Sequence, residues 1–278
     1  MTLLTPTLAA SDPTTATRQY IYCIVNGDSS AGLEAPRVEN APELLTVCHE
    51  GVAAVVSATD SERLEISRGN ALTHQRVMEA VMRQGRTVLP VRFNTIAEPK
   101  GPKTAQQRLI DHVLVGRRDE MLELLAGMAS LVELSVKGLW GNMETVFKDL
   151  VESDSEIRSL RQKLLAPPRV GQKKPVVNRA TQVKLGERVK TALEARKAKM
   201  EEILLARVRG LAVDSRRNRT FGDAMFANLA LLVDKSRQED VTAALTEFQA
   251  HQDGRVNLRC VGPLPPSNFL ELVISWDD

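Results

Sequence analysis

Four histidines, three cysteines and a spaced pair of glycines are the residues through which this chain of 278 could do chemistry. Gly27-x-x-x-x-Gly32 has the first spacing of a phosphate-cradling loop. Leu33-Glu34 follow it, where a Lys and a Ser or Thr would have to meet phosphate and metal. Cys23, Cys48 and Cys260 are odd in number, widely spaced and free of any C-x-x-C, so they announce neither a disulfide framework nor a zinc knuckle. His49, His74, His112 and His251 fall one per element, with no H-E-x-x-H and no G-x-S-x-G in the chain. Cys48 and His49 are neighbours, and on a strand they point to opposite faces, which rules out a nucleophile and base pair. A covalent site would require Cys23, Ser57 and His74 to converge from distant positions, and nothing in their spacing proposes it. No metal, no cofactor and no catalytic set is expected. His74 shares an apolar helix face with Val77, Met78 and Val81, so it is expected as a hydrogen-bonded structural histidine.

The elements that would position these residues are legible in outline. Tyr20 to Val25 reads as a strand ending at Asn26-Gly27, and Leu44 to Cys48 and Val52 to Ser57 repeat the signal around Gly51. Asn70 offers an N-cap for a helix that stops near Gly85. Thr87 to Phe93 is strand-like, but Pro90 cannot donate to a ladder and belongs to an edge, a bulge or a strand end. Thr104 and Gln107 form a capping box before an amphipathic helix with a break at Gly116. Leu131 to Leu139 alternates like a strand, and helical pattern follows to about Arg209, interrupted at Pro167-Pro168 and at 171–175. Strands are expected at Leu211 to Ser215, Met225 to Val233 and Val256 to Val261, with a helix started by Ser236-x-x-Glu239 before the last. In order this is β-α-β-β-α-β, the ferredoxin-like arrangement, with a strand-like run from Phe269 to Ser275 left over. The fold class expected is α+β. It comprises a tail over 1–18, an N-terminal α+β sheet domain over 19–130, and a ferredoxin-like domain over 131–278 with a helical insertion at about 142–210.

Composition excludes several classes. The chain is 43% hydrophobic and 26% charged with a net charge of +2, an ordinary globular balance that is neither disordered nor fibrous. No run approaches the ~18 apolar residues of a bilayer-spanning helix, and residues 1–15 lack a charged n-region, so neither a membrane partner nor a signal peptide is expected. A cytoplasmic setting follows. Charge is uneven, because Arg158 to Met200 holds thirteen Lys or Arg against Glu187 and Glu194. Such a stretch invites a nucleic-acid reading, but no Phe, Tyr or Trp lies between Phe147 and Phe221 to act as a stacking platform. Nucleic acid is therefore a secondary alternative, alongside a general protein-interaction module. Lys173, Lys174, Lys184 and Arg188 are the expected basic patch for an acidic protein partner.

Two strings carry no catalytic group yet stand out. Leu89-Pro90-Val91-Arg92-Phe93-Asn94-Thr95 ends a strand with a proline, an arginine and an aromatic. Val261-Gly262-Pro263-Leu264-Pro265-Pro266-Ser267-Asn268-Phe269 sets three prolines between two strand-like runs. At these residues the chain resembles the gas vesicle protein F/L family. The resemblance is also carried by Tyr20-Ile-Tyr22, His74-x-x-Val77-Met78-Glu79-x-Val81, Leu131-Val-Glu133-Leu134 and Asn228 to Asp234, in the right order along nearly the whole folded chain. It departs at Asn94, where the family usually has Gly, and at Leu264 and Ser267, where it usually has Trp and Tyr. The resemblance implies a two-domain α+β protein with a modified ferredoxin-like C-terminal part and a non-catalytic role in gas vesicle assembly. It also implies that the major shell protein and other gas vesicle accessory proteins are the partners. The expected partner-binding residues are Pro90, Arg92, Phe93, Gly262, Pro263, Pro265, Pro266 and Phe269, presented on a rigid exposed edge. A permanent place in the vesicle wall is the other version of the same role.

Overall fold

A computed structural model of the chain describes residues 17–27, 41–165 and 179–276. The chain divides into two compact units, one made of residues 1–132 and 264–278 and the other of residues 133–263. Mixed helix and antiparallel sheet make up both.

The first unit is built on β1 (Arg18–Asn26), whose central residues Tyr20 to Val25 are all buried. Such a strand must be covered on both faces, and a bulge between Ile21 and Cys23 sets which residue goes where. Ile21 and Ile24 face one core, while Tyr20, Tyr22, Cys23 and Val25 face the other. β2 (Leu44–His49) and β3 (Val52–Thr59) turn around Gly51 at φ +90° and pair antiparallel, and β3 pairs antiparallel with β1. Helix α1 (Arg68–Arg83) covers one face through His74, Val77, Met78 and Val81. Its cap is Ser67, whose hydroxyl accepts from Asn70 N–H; Asn70, the expected cap, sits inside the first turn. Gly85, at φ +80°, ends the segment as its type requires.

After β4 (Val88–Pro90) and β5 (Ile96–Ala97), both paired with β1, the Thr104/Gln107 capping box forms and starts α2 (Ala105–Arg108). The helix widens into a π-helical stretch at Leu109–Val115, breaks at Gly116 and resumes as α3 (Arg118–Met128). Leu109, Val113, Leu114, Met121 and Leu125 cover the second face. The described C-terminal residues belong here as well, with Leu272 and Ile274 in the same core. The expected extent 131–278 therefore differs from the packing, because the apolar side chains after Leu264 are buried against the first unit's core. The run Phe269 to Ser275 is no strand, and makes one isolated parallel bridge, Val91 to Leu272.

In the second unit β6 (Leu131–Trp140), β7 (Asp214–Arg217), β8 (Met225–Asp234) and β9 (Val256–Leu264) form a sheet in the order β7-β8-β6-β9. Between β6 and β7 run α4 (Met143–Ser153), α5 (Ser155–Leu165) and α6 (Arg179–Val208), and α7 (Gln238–Ala250) joins β8 to β9. β7 starts later than expected, since Leu211 completes the turn after α6 and Val213 N–H makes the first bond to β8, donating to Leu232 C=O at 2.8 Å. The expected Ser236 cap is replaced by Asp234, whose carboxylate accepts from Ser236 N–H and starts a 3-10 turn ahead of α7. Val136, Trp140, Phe226, Leu229 and Leu231 from the sheet pack with Leu193, Leu204 and Val208 of α6 and Val241, Leu245 and Phe248 of α7. Among the described residues no helix is long and apolar enough to cross a membrane.

Backbone approach at Gly141 is tight, because a Cβ there would lie 2.1 Å from the carbonyl oxygen of Gly254. A main-chain atom in two anchored segments cannot yield, so Gly141→Ala is expected to cost about 3 kcal/mol in urea denaturation. Gly186→Ala, in α6 with open space around the new methyl, is expected to stabilise by about 1 kcal/mol.

Candidate functional site

The first string folds into a corner at the end of β4, and its anchor is His74. The ring Nε2 lies 3.1 Å from the carbonyl oxygen of Val91 and Nδ1 lies 2.9 Å from the Tyr20 hydroxyl. A carbonyl can only accept, so Nε2 carries the proton and Nδ1 accepts from Tyr20. Asn94 N–H in turn donates to the Tyr20 oxygen at 3.4 Å. Tyr20, Tyr22 and Phe93 gather around the imidazole, with Tyr22 stacked on it and Phe93 edge-on at 5.7 Å between centroids. Burial pulls the His74 pKa down to about 4, against smaller opposing effects of the Val91 hydrogen bond and the Glu271 charge.

Asn94 occupies the left-handed region at φ +68°, a conformation glycine adopts freely and asparagine tolerates. Its side chain adds what glycine cannot, accepting from Leu64 N–H at 2.8 Å and donating to Leu64 C=O at 3.0 Å.

Pro90 and its neighbours do not present an open edge. Pro90 is buried, its carbonyl oxygen accepts from Leu272 N–H at 2.7 Å, and Arg92 N–H donates to Leu272 C=O at 3.0 Å. Arg92 is exposed and pairs with Glu271 at 3.0 Å, while Phe93 is half-buried in the aromatic cluster. The expected exposed edge at Pro90, Arg92 and Phe93 is thus closed by the chain's own C-terminal segment.

Of the second string, Gly262 and Pro263 are exposed on β9, joined by a cis peptide bond, whereas Pro265 and Pro266 are buried and Phe269 is half-buried in the first unit. Gly262 is dictated by close approach to β6, since a Cβ would lie 2.4 Å from Leu134 Cδ2 and 3.0 Å from the Glu133 carbonyl oxygen. The string is where the chain leaves one unit for the other.

The position of β9 at the sheet margin is what the sequence reading does not give. It is the outer strand of its sheet, and residues 259–263 are exposed in an unbroken row, with Val261 at 56%. Gln249 accepts from Leu258 N–H at 2.6 Å, and beyond that point no described strand pairs with its outer side. Beside it lies a cavity of about 710 Å³ lined by Cys260 and Gly262 of β9, Leu134, and the Gln238, Thr242 and Thr246 side of α7.

The two described residues of the basic patch are paired internally: Lys184 forms an ion pair with Glu156 at 3.1 Å, and Arg188 forms ion pairs with Asp154 at 2.6 Å and Glu156 at 3.4 Å. Lys173 and Lys174 lie outside the described residues. Lys197, also in that stretch, is buried and its ammonium donates to Gly222 C=O at 3.0 Å.

The residues a nucleophilic site would have needed are committed elsewhere. Ser57 and His74 do line one cavity of about 220 Å³, but Ser57 Oγ bonds Tyr22 OH at 3.2 Å and His74 bonds Tyr20. Cys23 is fully buried, and burial pushes its thiol pKa far up, which keeps it protonated.

Residues 18–271 match the family model described as gas vesicle synthesis protein GvpL/GvpF. The chain belongs to the GvpL/GvpF family. It is 26% identical to gas vesicle protein L1 of Halobacterium salinarum over 279 residues, covering 95% of this chain and 94% of that one. Gas vesicle protein F2 of the same organism is also 26% identical, over 92% of this chain and 93% of its own. The fold is similar to the crystal structure of GvpF from Anabaena, with a TM-score of 0.72 at 18% identity, covering 93% of this chain and all of that one. GvpF from Microcystis aeruginosa gives 0.67 at 20% identity, with the same coverage. Membership in this family places the chain in gas vesicle synthesis, and gives the corner and edge strand their context as parts of an assembly protein.

The His74 network makes stability pH-dependent. The folded chain binds the His74 proton less readily than the unfolded chain, so the contribution is complete above about pH 6.5 and is lost as pH falls toward 4. Between pH 7.5 and 5 the loss from this group is about 2 kcal/mol, read by urea denaturation, and His74→Gln flattens that part of the profile. Tyr20→Phe leaves Nδ1 without its donor and is expected to cost about 2 kcal/mol at pH 7.5.

Proposed function

We propose that this chain is an accessory protein that binds the hydrophobic major gas vesicle shell subunit and delivers it to the growing wall, docking it on the β9 edge. The observation that carries the reading is the exposed row at residues 259–263 on an outer strand with an open groove beside it. An unpaired edge offers main-chain donors and acceptors to an incoming extended segment, and the groove receives alternate side chains. A subunit bound for a water-excluding wall exposes apolar surface and strand edges before incorporation, which is the chemistry such an edge can shield. The element order of the second unit and its strand order β7-β8-β6-β9 support a ferredoxin-like description, in which β9 is an outer strand. Other accessory proteins of the same assembly are the second class of partner, and the setting proposed is the cytoplasm at the vesicle surface. The reading requires no catalytic step, metal or cofactor. The internal pairing of Lys184 and Arg188 weighs against the nucleic-acid alternative, because those charges are already neutralised by Glu156 and Asp154.

Co-expression with the major shell subunit, affinity capture and size-exclusion chromatography test this. The wild type is expected to yield a soluble complex, and Val261→Lys to lower recovery by about tenfold while keeping the unfolding midpoint, since a charge replaces an exposed apolar group. Arg92→Gln is expected to leave capture unchanged. Loss of capture with Arg92→Gln alone would move docking to the 90–93 corner, and no complex with the wild type would remove direct subunit binding.

A further inference from the structure

A further cavity, of about 290 Å³, lies within the second unit at the end of β6. Its lining includes Trp140, Val146 and Met200 together with Asp149, Arg196 and Arg255. Trp140 is 5% exposed, packs on Phe226 at 4.8 Å between centroids, and its Nε1–H finds no acceptor among the described residues. A buried donor left unpaired is costly, and buried polar groups almost always have a partner. The Arg196 guanidinium lies 5.6 Å from the Trp140 ring centroid and 2.6 Å from Asp149 Oδ2. Arg255 reaches the same carboxylate oxygen only at 3.8 Å, and its side chain is 63% exposed. Two guanidinium groups thus share one carboxylate, and the start of α4 at Asn142 adds its partial positive charge on the same rim. Asp253 at the rim opposes them and limits the affinity.

We propose that this cavity binds a carboxylate group, of a small organic acid or of an acidic side chain on a partner. One oxygen accepts from Trp140 Nε1–H and the other takes Arg255, which gives up its long contact with Asp149. Such charge-assisted pairing to a planar guanidinium favours a carboxylate over the isosteric amide. This inference concerns a site separate from the β9 edge and does not depend on shell-subunit docking.

The test is indole ¹H–¹⁵N spectroscopy of the ¹⁵N-labelled full chain, titrated with succinate at constant ionic strength. The chain has two tryptophans, Trp140 and Trp276, and Trp276→Phe assigns the signals. A saturable downfield shift of the Trp140 indole proton below about 50 mM is expected, with no such shift from succinamide. Arg255→Gln should weaken the effect by at least about tenfold, while Lys190→Gln, on the exposed side of α6, should not change it. A glutamate peptide with both ends capped forms the second arm. Saturation by succinate alone assigns the site to a small acid, and saturation by the peptide assigns it to a partner's acidic side chain. No saturable shift with either, or an equal shift with succinamide, would overturn the proposal.

Discussion

Every strand at the margin of a sheet carries main-chain N–H and C=O groups that must find partners in the molecule, in water or in another chain. The two sheets meet that constraint in opposite ways. At β4 the carbonyl of Pro90 and the N–H of Arg92 are taken by Leu272, so the C-terminal segment closes this side. At β9 one donor is covered by Gln249 and the exposed row that follows is left open. With the β4 side closed by the C-terminal segment, β2, β7 and β9 are the outer strands among those described, and β9 is the longest of them.

The closed edge is held from behind by the His74 cluster. Val91 offers its carbonyl to the imidazole, while the Pro90 carbonyl accepts from Leu272 N–H and Arg92 N–H donates to Leu272 C=O, so the corner is fixed on two sides at once. The buried imidazole, neutral at physiological pH, links helix α1 to β1 and to the corner without placing a charge in an apolar core. Asn94 completes the corner by holding Leu64 with both ends of its amide. A side chain at a backbone position in the left-handed region thus becomes a clasp.

Most local signals in the sequence hold, although the caps expected at Asn70 and Ser236 fall to the neighbouring Ser67 and Asp234. The Thr104/Gln107 box, the stop at Gly85, the break near Gly116 and the structural character of His74 depend on a few neighbouring residues, and each is present. Long-range events were not legible. Nothing in Phe269 to Ser275 distinguishes a strand from a segment that crosses a sheet edge with one bridge, because apolar alternation serves both. The excess of Lys and Arg in α6 looked like a free patch because its acidic partners, Asp149, Asp154 and Glu156, precede it by tens of residues. Val256 to Val261 read correctly as a strand, but its place at the outside of the sheet is a property of topology, which periodicity does not encode. The Trp140 cavity escapes for the same reason, since its walls come from three separated segments.

Hydrogen exchange of the full chain, free and with the major shell subunit, tests the central claim most directly. The account predicts that slowed exchange on complex formation centres on residues 256–264, with the already bonded amides at 91–92 unchanged. Protection confined to the 88–95 corner, or a complex that forms with no change across 256–264, would contradict it.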